Sequence, residues 1–125
     1  MLLGCGATTQ QVPPNQPTAL HVTLPASQVS TPLYHPIDKT ITDIAGVQKL
    51  YKAALALPVL PPGAVQFCSA GIPGLTYHLT FLHSNTVLRT ASMDASGCEN
   101  LVFSPKDIRM TDQAFQTLLQ QTVGE

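Results

Sequence analysis

The chain has little charge, no tryptophan and no long apolar run, and each absence excludes something. Charged residues make up 10% of its 125 positions, against roughly 25% in ordinary soluble proteins. Threonine, serine, glutamine, asparagine and proline must therefore cover the surface, a composition that suits a secreted or cell-surface protein. The formal net charge is −1, and no run of basic residues occurs. Nothing here makes the electrostatic footprint of a nucleic-acid or anionic-lipid binder. No stretch approaches the roughly 18 to 20 apolar residues of a membrane-spanning helix. With no tryptophan and 6% aromatics, a carbohydrate-stacking face is unsupported. Tyr34, Tyr51 and Tyr77 read as core or rim residues.

Catalytic constellations are missing in the same way. The chain contains no GxSxG, SxxK or HExxH. Its seven acidic residues include no close pair in apolar surroundings, so a paired acid/base site is not suggested. There is no glycine-rich phosphate loop. There is no CxxC either, and the paired-cysteine spacing of zinc sites is lacking. His78 and His83 are an odd number of positions apart, which sends them to opposite faces of a regular strand. They cannot share a metal there. His21 and His35 fall in irregular or edge segments, and nothing in the sequence gives reason to expect that they meet. These readings point to a non-enzymatic protein with no cofactor and no metal.

What is present begins with a stub. Leu2-Leu3-Gly4-Cys5 resembles the end of a bacterial lipoprotein signal: a leucine three places before the cysteine, a small residue just before it, and a lipidated Cys5. A complete signal peptide, with a basic n-region and an apolar h-region of roughly 7 to 15 residues, is not present. The alternative is an incidental cysteine in a loose terminus. The polar, proline-containing stretch that follows is a natural spacer, and it favours a tether. Residues 1–18 are thus expected to be a lipobox-like stub and flexible linker, and residues 19–125 one domain. A lipidated Cys5 would place that domain on the outer face of the cytoplasmic membrane.

Within the domain the hydrophobic period changes along the chain. Leu20 to Leu24 alternates apolar and polar residues, as a strand does, and Pro25 ends it. Pro32 and Pro36 confine any strand over Val29 to Ile37 to an edge. Ile44, Val47, Leu50, Tyr51, Ala54 and Leu57 then recur at helical spacing. Thr42 is the expected N-cap, Asp43 lies in the first turn, and Pro58 is the stop. After "PVLPPG", Val65 and Phe67 alternate with Gln66 and Cys68, and Gly71-Ile72-Pro73-Gly74 reads as a turn.

Leu75, Tyr77, Leu79 and Phe81 alternate with Thr76, His78 and Thr80 in the strongest strand pattern. A turn at residues 83–86 leads to a partner strand, Val87 to Asp94, with Val87, Ala91 and Met93 on one face. Cys98 to Phe103 gives a last strand, broken at Ser104-Pro105. Thr111 is expected to cap a final helix from Asp112 to about Val123, with Ala114, Phe115, Leu118, Leu119 and Val123 inward. The class is α+β: a two-layer sandwich of an antiparallel meander sheet of three to five strands and two amphipathic helices. One sheet face should pack on the helices. The other, carrying Thr76, His78, Thr80 and Leu82, is left as the candidate partner surface.

Cysteine arithmetic adds a brace. With Cys5 assigned to lipid, Cys68 and Cys98 remain, one at a strand end and one just after a turn, which a meander can bring together. An oxidised pair is one reading and two buried free thiols the other. Oxidising compartments permit the first.

The run TDIAGVQKLYKAALALPVLPPGAVQFC, followed by GLTYHLTF and ASGC, is similar to a group of uncharacterised lipoproteins and secreted proteins of Chloroflexi and related Gram-positive-type bacteria. Thr42, Asp43, Leu57, Pro58, Cys68, Gly74, Tyr77, Leu79, Phe81, Gly97 and Cys98 carry the likeness. Ser69 and Ala70 stand where that group has proline and aspartate. The resemblance implies the tether and the cysteine pair, and it implies no activity. Two functional expectations follow. The first is a membrane-tethered extracellular domain that binds a protein or cell-envelope partner. The second is a secreted protease-inhibitor-like domain presenting a proline-rich loop ("LPVLPPG" or "SAGIPG").

Overall fold

Alternation in the sequence becomes a sheet with one apolar face. The computed structural model describes residues 12–25, 36–68, 76–94 and 97–124. Its strands are β1 (Ala19–Leu24), β2 (Ile37–Ile41), β3 (Thr76–His83), β4 (Thr86–Asp94), β5 (Leu101–Ser104) and β6 (Asp107–Arg109). Helix α1 (Ile44–Ala56) lies between β2 and β3, and helix α2 (Gln113–Val123) follows β6. The strands form one six-stranded antiparallel sheet in the order β2-β1-β3-β4-β5-β6. β2 and β3 both run antiparallel to β1, so they are parallel to each other, and α1 makes the crossover between them.

Both helices lie on the same side. Leu20, Val22, Leu24, Leu79, Phe81, Ala91, Met93 and Leu101 from the sheet share one buried cluster with Val47, Leu50, Tyr51 and Ala54 of α1 and Phe115, Leu119 and Val123 of α2. The two-layer α+β sandwich is therefore observed, with one strand more than the upper expectation. α2 packs on α1 and β2 within this layer, leaving the opposite sheet face to other uses.

Both unforeseen strands lie at the sheet edges. β2 reads "IDKTI", starts directly after Pro36 and carries charge, as edge strands commonly do. Lys39 shares the core-facing register with Ile37 and Ile41, but its Nζ reaches past the core and donates to the Val123 carbonyl at 2.8 Å. A cation there suits the C-terminal end of α2. At the far edge, Pro105 and Lys106 form a turn rather than a break, and β6 returns antiparallel to β5. The 58–60 segment then lines β6, through Leu60 N–H to Ile108 O at 2.7 Å and Met110 N–H to Pro58 O at 2.9 Å.

Other local expectations are corrected. Val65 and Phe67 lie in no strand, and they are 75% and 95% exposed. Val87 turns off the core face because the β3–β4 register shifts between Phe81 and Leu82, and it is 54% exposed. Asp43, not Thr42, occupies the α1 N-cap position, without a side-chain cap bond. Ile44, the first residue of α1, is exposed rather than inward. In α2 the cap is Asp112, which accepts the Phe115 N–H at 2.8 Å, and Thr111 donates instead to the Glu99 carbonyl at 2.8 Å. Ala114 faces solvent. The helix ends on Gly124 at φ 82°, where a left-handed residue closes the last turn.

Contacts of the fold begin upstream of β1. Pro17 is buried. Thr18 N–H donates to Leu82 O at 2.7 Å, and Thr18 Oγ1 accepts from Ser84 N–H at 2.9 Å. The latter steadies the two-residue β3–β4 turn, where Ser84 has φ 53°. Leu75 and His35 lie outside the described residues, as do Cys5 and the turn expected at residues 71–74.

Candidate partner surface

Register alone determines which side chains share the open sheet face. Asp38 lies opposite Thr23, Thr23 opposite His78, His78 opposite Ser92, Ser92 opposite Val102, and Val102 opposite Ile108. This row crosses all six strands. A second row runs Thr40, His21, Thr80, Thr90. Thr76 begins a third and donates to Asp94 Oδ1 at 3.2 Å. The face is thus a field of threonine and serine with two histidines, with Val102 and Ile108 at its β5–β6 end and single carboxylates at Asp38 and Asp94. Among the described residues, none of the helices or strands covers it. β-branched threonine suits the pleated backbone while keeping the surface polar, so the sheet forms without burying this side.

The expected surface residues take distinct places. Thr76, His78 and Thr80 point away from the helices, as their alternation requires. His78 is exposed and Thr80 half-buried. Leu82 lies beyond the bulge, paired with Ala19 and Val87, at the end of the face where the 16–18 segment joins. His78, Thr80, Thr90, Ser92, Val102 and Phe103 line a shallow depression of about 390 Å³. His21 Nε2 sits 2.8 Å from Asp38 Oδ1, so its partner is a carboxylate on β2. His83 Nδ1 donates to the Gln16 carbonyl at 2.8 Å. Among the described residues, no group of three or more His, Cys, Asp or Glu could hold a metal ion.

A second feature stands beside the first. Cys68 and Cys98 are joined in a disulfide, with Cα atoms 5.1 Å apart. Two residues inward on each side, Gln66 and Asn100 exchange both amide bonds: Gln66 Nε2 to Asn100 Oδ1 at 3.3 Å and Asn100 Nδ2 to Gln66 Oε1 at 2.5 Å. Phe67 lies between these anchored residues and is 95% exposed. Sequence reading missed it because alternation alone cannot distinguish a paired strand from an extended loop. The signal was Pro61-Pro62-Gly63 just upstream, with Gly63 at φ 77° turning the chain away from the sheet edge.

Arg109 organises the far edge. Its guanidinium donates to Asp107, to Leu55 O at 2.8 Å and to Leu57 O at 3.2 Å, and it lies 5.6 Å from the centre of the Phe103 ring. Arg89 lies 5.2 Å from the same ring. The hydrogen bond from Arg109 holds the Asp107 carboxyl below the ordinary carboxylate value, against the opposing effect of burial and with help from the Arg109 and Arg89 charges. The same bond raises the Arg109 pKa further.

No family model, curated protein or solved structure matches the chain. Among the described residues, no helix is long and apolar enough to cross a membrane.

Proposed function

We propose that the chain is a non-enzymatic extracellular domain, tethered through a lipidated Cys5 to the outer face of the cytoplasmic membrane, that binds a protein or cell-envelope partner on its open sheet face. The observation that supports this reading is the face itself. Its rows carry threonine, serine and histidine over β1 to β4 and Val102 and Ile108 over β5 and β6, with Asp38 and Asp94 as their acidic members, and neither helix packs on them. A partner would displace water from hydroxyls and short side chains, which lose little conformational entropy on contact. The absence of strong charge removes one means of keeping partners away.

The test is site-directed photo-crosslinking on the native cell surface. A benzophenone side chain at Thr80 or Thr90 is expected to give discrete high-mass adducts. The same probe at Lys52 or Gln120, exposed on the helical layer, is expected to give none. Adducts confined to the helical layer, or none from the sheet face, would reject the reading. The second expectation, a protease-inhibitor-like domain, is favoured by one specific observation, the braced and exposed Phe67.

A further inference from the structure

Val65 and Phe67, two positions apart, both project into water, where their apolar surface contributes nothing to the fold. Phe67 is not on a loose loop. Gln66 before it is held by the reciprocal amide pair with Asn100, and Cys68 after it is bonded to Cys98. Both anchors sit directly before β5, whose Leu101 is fully buried. Upstream, Leu60 is bonded to Ile108 on β6, and Ala64 N–H closes a turn onto Pro61 O at 3.1 Å. Pro58, Pro61 and Pro62 restrict the backbone between these points. The segment is therefore fixed at both ends, belongs to no strand, and turns Val65 and Phe67 to solvent.

We propose that residues 64–68 form a substrate-like inhibitory loop that seats Phe67 in the specificity pocket of an extracellular endoprotease cleaving after aromatic residues. This deepens the inhibitor reading above and does not depend on the open sheet face. Such an enzyme binds a short stretch of chain with one aromatic side chain in a pocket, and a loop already ordered loses little entropy on entering it. An exposed aromatic between fixed neighbours also has the character of a binding hot spot.

The flanking bonds give the loop its resistance to cleavage. Attack by the protease nucleophile on the Phe67 carbonyl would break the Phe67–Cys68 peptide bond. The products are an acyl-enzyme and the free amine of Cys68, the nucleophile's proton passing through the catalytic base to the leaving nitrogen. In a flexible substrate that amine diffuses away and water completes the hydrolysis. Here the disulfide keeps Cys68 beside the acyl carbonyl, and Asn100 keeps Gln66 in place. The amine can re-form the peptide bond at high effective concentration before water arrives.

The experiment mixes the full oxidised chain with chymotrypsin or with trypsin. Residual cleavage of chromogenic peptides and the intact mass of the chain are followed for hours. Chymotrypsin is expected to be inhibited, with the Phe67–Cys68 bond cut slowly, and trypsin to be unaffected. Phe67→Ala should weaken inhibition by about a hundredfold, as for the loss of a hot-spot side chain. Phe67→Arg should redirect it to trypsin. Gln66→Ala should speed cleavage. These side chains lie outside the core, and correct oxidation of each variant is verified by mass. The proposal is overturned if chymotrypsin stays fully active, if the bond is cut rapidly without inhibition, or if Phe67→Ala inhibits equally well. Phe67-dependent binding to phosphatidylcholine vesicles without inhibition would also overturn it, assigning the anchor to a membrane. Thr80→Lys and Thr90→Lys on the sheet face should leave inhibition unchanged, so failure of the loop and failure of the sheet face are read separately.

Discussion

The Tyr51 ring of α1 and the Phe81 ring of β3 stand 4.9 Å apart, centroid to centroid, at an interplanar angle of 56°. Tilted contacts of this kind suit the quadrupoles of two aromatic rings. The pair joins the helical layer to the sheet near the middle of the core, and Phe81 is fully buried. Its neighbour Thr80 points to the opposite side.

Phe81→Ala is accordingly expected to destabilise the domain by roughly 3 to 5 kcal/mol, the usual cost of truncating a large buried aromatic. Thr80 is half-buried on a central strand, and Thr80→Ala should cost no more than about 1 kcal/mol, the span of strand propensities. Urea unfolding followed by circular dichroism measures both. Equal losses at the two positions would contradict the assignment of faces.

Reduction of Cys68–Cys98 frees a loop of 30 positions containing β3 and β4. In the chain-entropy account that closure stabilises the fold by roughly 3 to 4 kcal/mol. The melting temperature of the reduced protein should fall clearly, and the oxidised mass should lie two hydrogens below the reduced mass. Both thiols free in protein from an oxidising host would refute the bond.

Stability should also respond to acid through Asp107. Arg109 lowers its folded-state pKa below the ordinary 3.8. The unfolded chain therefore takes up the proton first, and the pair's contribution is complete above 3.8. It is lost as pH falls through the lower, folded value. Asp107→Asn should reduce stability at neutral pH and flatten part of the acid limb in a denaturant series from pH 6 down to pH 2. A variant whose acid limb matches the parent's would show that the pair adds nothing.

The tether has its own assay. Protein made in its native cell should partition into the detergent phase and incorporate labelled palmitate, and Cys5→Ser should abolish both. A Cys5→Ser variant that still fractionates with membranes would reject lipidation.

How legible each element was depends on what its residues answer to. α1 and β3 bury a stripe or an alternate face, so Val47, Leu50, Leu79 and Phe81 show their periods openly. β2 answers to other demands. As an edge strand it carries Asp38 for His21 and Lys39 for the end of α2, and both partners are remote in sequence. β6 is three residues long, too short for any period, and it is held by pairing with β5 and by the bonds of Arg109 to the Leu55 and Leu57 carbonyls at the end of α1. The open face was readable at Thr76, His78 and Thr80 because it follows from alternation. Its extent across Asp38, Thr23 and Ser92 required the strand order, which no local pattern contains. Phe67 shares the alternation of a strand but pairs with no strand among the described residues, a difference that alternation alone does not carry.

The placement of β1 has a mechanical consequence. The segment anchored at Gln16, Pro17 and Thr18 continues directly into a strand paired on both sides, with β2 and with β3. A pull on the N-terminal segment therefore arrives in the interior of the sheet. Antiparallel ladder bonds lie across the strand direction, so a force along β1 shears two ladders together instead of unzipping one edge bond by bond. A domain held by this end against flow, or against a bound partner, is gripped where its sheet resists extension from both flanks.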